Sequence, residues 1–303
     1  MPIEAAPPPA AHRRGSTGFT LVEMVLVIVL ASIIAAMLAT FMRPAIDAWL
    51  ASRSRAQLAA QAAQALRRMQ REVRAAVPNS IRTPGSQCFE FVPTTGGGRL
   101  RLGPDTVHDS AAGCTPGADC AAPFDPTQSV SLFDVLSPLQ TTPSSGDFIV
   151  VDNQNPADVY SGANRAALES FGAPPQPTQG VHRIGIAATS FAPGHDSGRF
   201  VVVPAAQQAV FYACVGADGT LDASGRGRGS LLRLQGYGFN ASYPSACPAT
   251  GDVLARHLVS CRFVYDPNQG ATQQSGFVSM QLEFAVDGER ASLVLGAHVR
   301  NVP

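Results

Sequence analysis

The feature that most limits what this chain can become lies near its start. From Phe19 to Met42 it reads FTLVEMVLVIVLASIIAAMLATFM, 24 residues with a single charge. At the rise of an α-helix that is ~36 Å, enough to cross a ~30 Å hydrocarbon core with some tilt. A secretory signal has an apolar stretch of about 7–15 residues followed by a small-residue cleavage site. Here the run is longer and no A-x-A follows it. The small residues Gly15-Ser16-Thr17-Gly18 stand before it instead, just after His12, Arg13 and Arg14. Residues 1–18 therefore read as a leader, and residues 19–42 as a membrane-crossing helix with its processing site on the N-terminal side.

Glu23 breaks the apolar pattern. An unpaired charge inside such a helix costs on the order of 3 kcal/mol. Thr20 is the only other polar residue near it. A buried acid of this kind usually has a named partner. A cut after Gly18 would create one, because the new α-amino group of Phe19 lies about one helical turn away, on the same chain or a neighbour. The plainer alternative is a carboxylate that reaches up to the interface.

Gly18-Phe19-Thr20-Leu21-Val22-Glu23, with basic residues before it and an apolar helix after it, resembles the class III leader and cleavage site of type IV prepilins and type II secretion pseudopilins. The resemblance implies that a membrane-embedded prepilin peptidase cuts between Gly18 and Phe19 and N-methylates Phe19. It also implies that Glu23 pairs with the terminus of a neighbouring subunit during assembly. The implied partners are the peptidase, the lipid bilayer, other major and minor pilins or pseudopilins, and an inner-membrane assembly platform. The implied location is the bacterial inner membrane, single-pass with the C-terminal domain in the periplasm, and then a pilus or pseudopilus. Charge alone does not orient the span, since Arg13 and Arg14 precede it while Arg43, Arg53 and Arg55 follow it.

After Pro44 the chain is rich in Ala, Gln and Arg, which are strong helix formers. Leu58, Ala62, Leu66, Met69, Val73 and Val77 are spaced four, four, three, four and four, an unbroken stripe on one helical face. Residues 43–78 thus read as the amphipathic second half of a long stalk helix, stopped by Pro78-Asn79-Ser80. Arg67, Arg68, Arg71 and Arg74 fall largely off the stripe and read as a solvated face, with a contact to acidic groups of a neighbouring subunit or to lipid headgroups as the alternative.

From Asn79 to the end the period changes to two. Short segments rich in β-branched and aromatic residues (Cys88–Val92, Leu100–Leu102, Phe148–Val151, Arg199–Val203, Val210–Val215 and Leu231–Leu234) are bounded by Gly, Pro, Asn or Asp. His257–Tyr265, Phe277–Val286 and Ala291–Val299 are the clearest strands. Asp287-Gly288 is a hairpin signal between the last two, and residues 266–270 are expected to join the first pair. Residues 104–146 lack periodicity. The expected fold is α+β and pilin-like, with the helix stripe buried on an antiparallel sheet in a domain spanning 79–303. The abundance of Gly (28) and Pro (24) suits such a loop-rich β structure.

Six cysteines follow the apolar run: Cys88, Cys114, Cys120, Cys214, Cys247 and Cys261. They form no C-x-x-C pair and the histidines are scattered, so disulfides in an oxidising compartment are expected rather than zinc. The short separation of Cys114 and Cys120 permits a local bridge. The other four allow three connectivities. Cys214 with Cys247, across the Gly-Arg-rich loop, is the chosen guess, leaving Cys88 with Cys261.

No G-x-S-x-G, P-loop, H-E-x-x-H or dinucleotide fingerprint stands in the right context, so no enzymatic activity and no catalytic residue are expected. Net charge is zero, and all 22 basic residues are Arg. Two arginines in Gly225-Arg226-Gly227-Arg228-Gly229 make a poor nucleic-acid site, and that tract reads as a flexible loop. Asp218, Asp252, Asp266 and Asp287 sit in turns without D-x-D-x-D spacing, so calcium is not favoured and no cofactor or metal is expected. Residues 65–80, Ser260–Asp266 and His298–Pro303 resemble the minor pilins of MshO type from the mannose-sensitive haemagglutinin (MSHA) pilus system. The J-type minor pseudopilin of type II secretion has a related long-helix pattern. The expected role is assembly or priming of a filament, with a pilus-tip adhesin as the reading from another class.

Overall fold

The computed structural model describes residues 18, 20–109, 114–115, 118–191, 198–269 and 275–300. Most of the expected leader and the whole of Phe19 lie outside them. The chain forms two units, Met1–Arg53 and Ser54–Pro303, and helix α1 (Leu21–Arg74) contributes to each.

In the second unit the helix does what its stripe requires. Leu58, Ala62, Ala65, Leu66, Met69 and Val73 are buried, packed with Phe89, Phe91, Tyr212, Phe263, Met280 and Leu282. Each fully buried Leu, Met or Val contributes about 1.5–3 kcal/mol, so this docking stabilises the helix far more than propensity does. Val77, the expected last member of the stripe, is a correction. The helix ends at Arg74, and Val77 packs beyond it in a separate cluster with Val92, Val150, Tyr160 and Val203.

The helix lies on a seven-stranded antiparallel sheet. Its order is β1 (Arg82–Gly85), β2 (Cys88–Phe91), β9 (Val210–Val215), β10 (Gly229–Gln235), β11 (Asp252–Gln269), β12 (Ser275–Val286) and β13 (Glu289–Arg300). Asp287 and Gly288 both have positive φ, and Val286 pairs with Glu289, so the expected hairpin closes with a two-residue turn. Residues 266–269 were expected to turn but continue β11, paired with β12 as far as Gln269 and Ser275.

A second antiparallel sheet, of six strands, is a further correction. Its order is β3 (Gly96–Arg99), β8 (Arg199–Val203), β5 (Phe148–Val151), β6 (Arg165–Gly172), β7 (His182–Ser190) and β4 (Ser129–Val135). It has its own core of Phe124, Phe133, Ile149, Leu168, Ile186 and Phe200. β4 falls in the stretch expected to be irregular. Leu100–Leu102, expected as a strand, supplies only an isolated bridge from Leu100 to Val135. The strand lies just before it, on three glycines. A Cβ on Gly97 would stand 2.4 Å from the Phe200 carbonyl oxygen, so the missing side chain lets the strand approach.

The bridges are Cys88–Cys247, Cys114–Cys120 and Cys214–Cys261. The guess of Cys214 with Cys247 and Cys88 with Cys261 is wrong, and sheet parity explains why. Cys88 pairs across the strands with Ala213, so it shares a sheet face with Ala213 and Cys214 points to the other. Cys214 therefore joins Cys261 in the helix-side core, and Cys88 meets Cys247 on the opposite face beside Phe211.

The Gly225–Gly229 tract is also a correction, because it is packed rather than free. Gly225, at φ +69°, lies on the β12–β13 turn, and its carbonyl accepts the Gly288 N–H at 3.0 Å. The Gly227 N–H donates to the Ala285 carbonyl at 3.0 Å, and a Cβ there would stand 2.3 Å from the His257 carbonyl oxygen.

Candidate functional site

The N-terminal end of α1 is built around Thr20 and Glu23. The Thr20 backbone N–H and hydroxyl both donate to Glu23 Oε2 at 3.1 Å, and the Glu23 N–H donates to Thr20 Oγ1 at 3.3 Å. This is a capping box, in which two of the helix's orphan N–H groups are satisfied reciprocally. The carboxylate also sits where the helix dipole favours negative charge. The T-x-x-E spacing in the sequence is the signal for this local role, which adds to the partner expected for Glu23. Gly18 precedes the box and is exposed. Phe19, the expected methylated terminus, lies outside the described residues.

Beyond the box the helix shows apolar side chains all round. Leu21 is 80% exposed and Leu26, Ile34, Leu38 and Phe41 are each more than half exposed. Contiguous apolar surface on this scale marks a lipid- or protein-binding segment. Its hydroxyls are turned inward on the helix itself. Ser32 Oγ donates to the Ile28 and Val29 carbonyls and Thr40 Oγ1 to the Ala36 carbonyl, each at 2.8 Å. Such back-bonding suits an environment without water. Arg53 stacks over the Trp49 ring at 5.6 Å, the pairing of residue types that anchors helices at a membrane interface.

In the second unit, Glu72 ties the docked half of α1 to the sheet. It accepts Arg68 Nε and Arg233 Nε at 3.1 Å and the Tyr212 hydroxyl at 2.8 Å. Burial pushes the Tyr212 phenol well above its ordinary range, with the Glu72 carboxylate adding to the effect, so it stays a donor.

A polar cluster lies under the loop that carries Cys247. Arg82, 2% exposed, donates to the Asn240 and Ser242 carbonyls at 2.8 and 3.1 Å and stacks 3.4 Å from the Tyr160 ring centre. Its Nη1 stands 3.7 Å from Glu90 Oε2, and the Tyr237 hydroxyl donates to Glu90 Oε1 at 2.7 Å. Burial raises the Glu90 carboxyl above the usual range, while Tyr237 and Arg82 pull it back.

Two of the aspartates expected in turns have conformational work. Asp218 Oδ1 accepts the Thr220 N–H and hydroxyl at 2.9 and 2.6 Å, and Asp266 Oδ1 accepts the Asn268 N–H at 3.0 Å. Among the described residues, the one clustering of potential metal ligands is Asp109, Cys114 and Cys120. Its two sulfurs are joined in a disulfide and are not thiolates.

Residues 13–39 match the family profile described as the prokaryotic N-terminal methylation motif. No curated protein and no solved structure matches the chain. The match covers the basic flank, Gly18, the capping box and most of the apolar run. It supports a pilin or pseudopilin processed by prepilin peptidase, whose apolar helix fits a single membrane crossing, ahead of an antiparallel β domain that bears disulfides.

Proposed function

We propose that this chain is a minor subunit of a type IV pilus of MSHA type, acting in the assembly or priming of the filament. In this reading residues 1–18 are the leader, cut from Phe19, which is then methylated. Residues 19–42 hold the chain in the inner membrane and later in the filament core, 43–78 form the rest of the stalk, and 79–303 form a periplasmic domain. The carrying observation is the exposed apolar helix whose only acid within the run, Glu23, follows the processing motif. The three disulfides, all in the second unit, support an oxidising compartment for it. The likenesses at residues 65–80 and at the C-terminal end favour the MSHA subtype over the J-type pseudopilin of type II secretion.

Two substitutions separate the roles of Glu23. Glu23→Ala removes both the charge and the capping box, the latter worth about 0.5–2 kcal/mol. Glu23→Gln keeps the box, because glutamine serves at that position, and removes the charge that would neutralise a neighbour's terminal amine. Processing is expected to continue in both, with incorporation into filaments lost in both. Normal filament incorporation of Glu23→Gln would show that the residue serves only its own helix. A deletion strain decides among the remaining readings. Loss of pili supports assembly, normal pili that no longer attach support a tip adhesin, and loss of protein secretion supports the pseudopilin.

A further inference from the structure

Arg67, Arg71 and Arg74 stand at i, i+4 and i+7 and so lie along one face of α1. All three are exposed, and their side chains make no ion pair or hydrogen bond among the described residues. Arg68, on the same turn, is bonded to Glu72, and Glu72 is further occupied by Arg233 and Tyr212. The one acid in this part of the helix is therefore spent on holding it to the sheet.

The three guanidiniums border concave surface. Arg67 and Arg71 line a groove with Gln61, Gln64 and Leu254. Arg74 lines another, which Arg199 shares. In a chain of zero net charge this is a local concentration of unpaired cations.

We propose that this stripe docks an acidic helix from a non-identical subunit. Carboxylates repeating at i, i+4 and i+7 on a second helix match the guanidiniums one to one, and each Arg–carboxylate pair can be bidentate. The stalk of a second copy cannot supply them. Helix α1 contains only Glu23, Asp47 and Glu72 as acids, and the last is already engaged. The inference rests on the filament-subunit reading and adds that the helix docked on this face comes from a different chain.

The test uses the full chain in lipid nanodiscs and a labelled synthetic helix bearing Glu at i, i+4 and i+7, with its Gln counterpart as control. Fluorescence anisotropy at about 0.15 M salt reads binding. The Glu helix is expected to bind and the Gln helix not to. The triple variant Arg67→Gln, Arg71→Gln, Arg74→Gln should weaken binding at least about tenfold, the size expected from losing about 1.4 kcal/mol of charge recognition. These are exposed sites and glutamine is a good helix former, so the fold is retained. Arg256→Gln with Arg262→Gln, exposed on β11, should leave binding unchanged. Absent binding, equal binding of the Gln helix, or equal loss in the β11 variant would overturn the proposal. Tighter binding of polyphosphate or of phosphatidylglycerol vesicles than of the Glu helix would overturn it too, assigning the stripe to phosphate groups. The N-terminus is scored separately by mass. A chain that binds the Glu helix but is never cut at Gly18 refutes the filament reading alone, and a processed chain that does not bind refutes this proposal alone.

Discussion

Gly18→Val leaves the precursor uncut, with no chain beginning at Phe19 in the membrane fraction. A peptidase must bring its catalytic groups to the carbonyl of the residue before the cut, within about 3–3.5 Å of attack. Glycine lets another backbone come that close, whereas a branched Cβ pushes the bond away. A displacement of about 1 Å at such a distance costs about 100-fold in rate. The folded chain gives no competing explanation for a loss. Gly18 is exposed, and a Cβ built there meets no atom within 4 Å. The capping box begins two residues later and uses only Thr20 and Glu23. Secondary structure and disulfides should therefore match those of the wild-type chain while the leader is retained. Intact mass and N-terminal sequencing of membrane extracts decide it, and a mature chain starting at Phe19 in wild-type amount would remove the processing assignment. Gly18→Ala, a smaller obstruction, should slow the cut without abolishing it.

The parts of this structure that were legible in the sequence are those fixed by neighbours along the chain. The stripe from Leu58 to Val73 repeats at helical spacing, so its face and burial follow from period alone. The β12–β13 hairpin announces itself through Asp287-Gly288 between two long alternating runs. The second sheet is only partly legible: Phe148–Val151 and Arg199–Val203 show as strands, but nothing local announces that they pair into a sheet of their own. Gly96-Gly97-Gly98 has low strand propensity and becomes a strand because Phe200 and its neighbours pair with it. The core around Phe133 draws on segments scattered from Leu100 to Val202, and which of them meet is not set by neighbours along the chain. Cysteine pairing likewise depends on register between β2 and β9, a non-local quantity. The capping role of Glu23 was different in kind. Its T-x-x-E spacing is a purely local signal, but an acid in an apolar run also calls for a distant partner, and spacing alone does not choose between the two.

The largest effect on stability is expected at Arg82. Arg82→Met should cost about 3–5 kcal/mol at neutral pH, the range for removing one partner of a buried charged pair. Three losses combine: two bonds to the carbonyls of Asn240 and Ser242, the stack on Tyr160, and the cation facing Glu90. Glu90 is fully buried and, among the described residues, keeps only the Tyr237 hydroxyl as a neutral side-chain donor. The pH dependence follows from its carboxyl. Burial already holds that group above its ordinary value, and Arg82 is one of two influences restraining the rise. Without Arg82 it rises further. A carboxyl raised in the folded state favours folding below its unfolded value of about 4.3, and that contribution is lost as pH climbs through the folded value. The deficit of Arg82→Met should therefore be largest at neutral pH and shrink toward acid. Adding Glu90→Gln, which keeps an acceptor for Tyr237 but removes the stranded charge, should bring the protein part of the way back to wild type and flatten the pH dependence. Chemical denaturation of the detergent-solubilised chain between about pH 5 and 8 reads both effects. If the single variant loses the same stability at every pH, and the second substitution recovers none of it, then Arg82 acts by packing and carbonyl bonding alone. The charge of Glu90 would then contribute nothing to holding this loop in place.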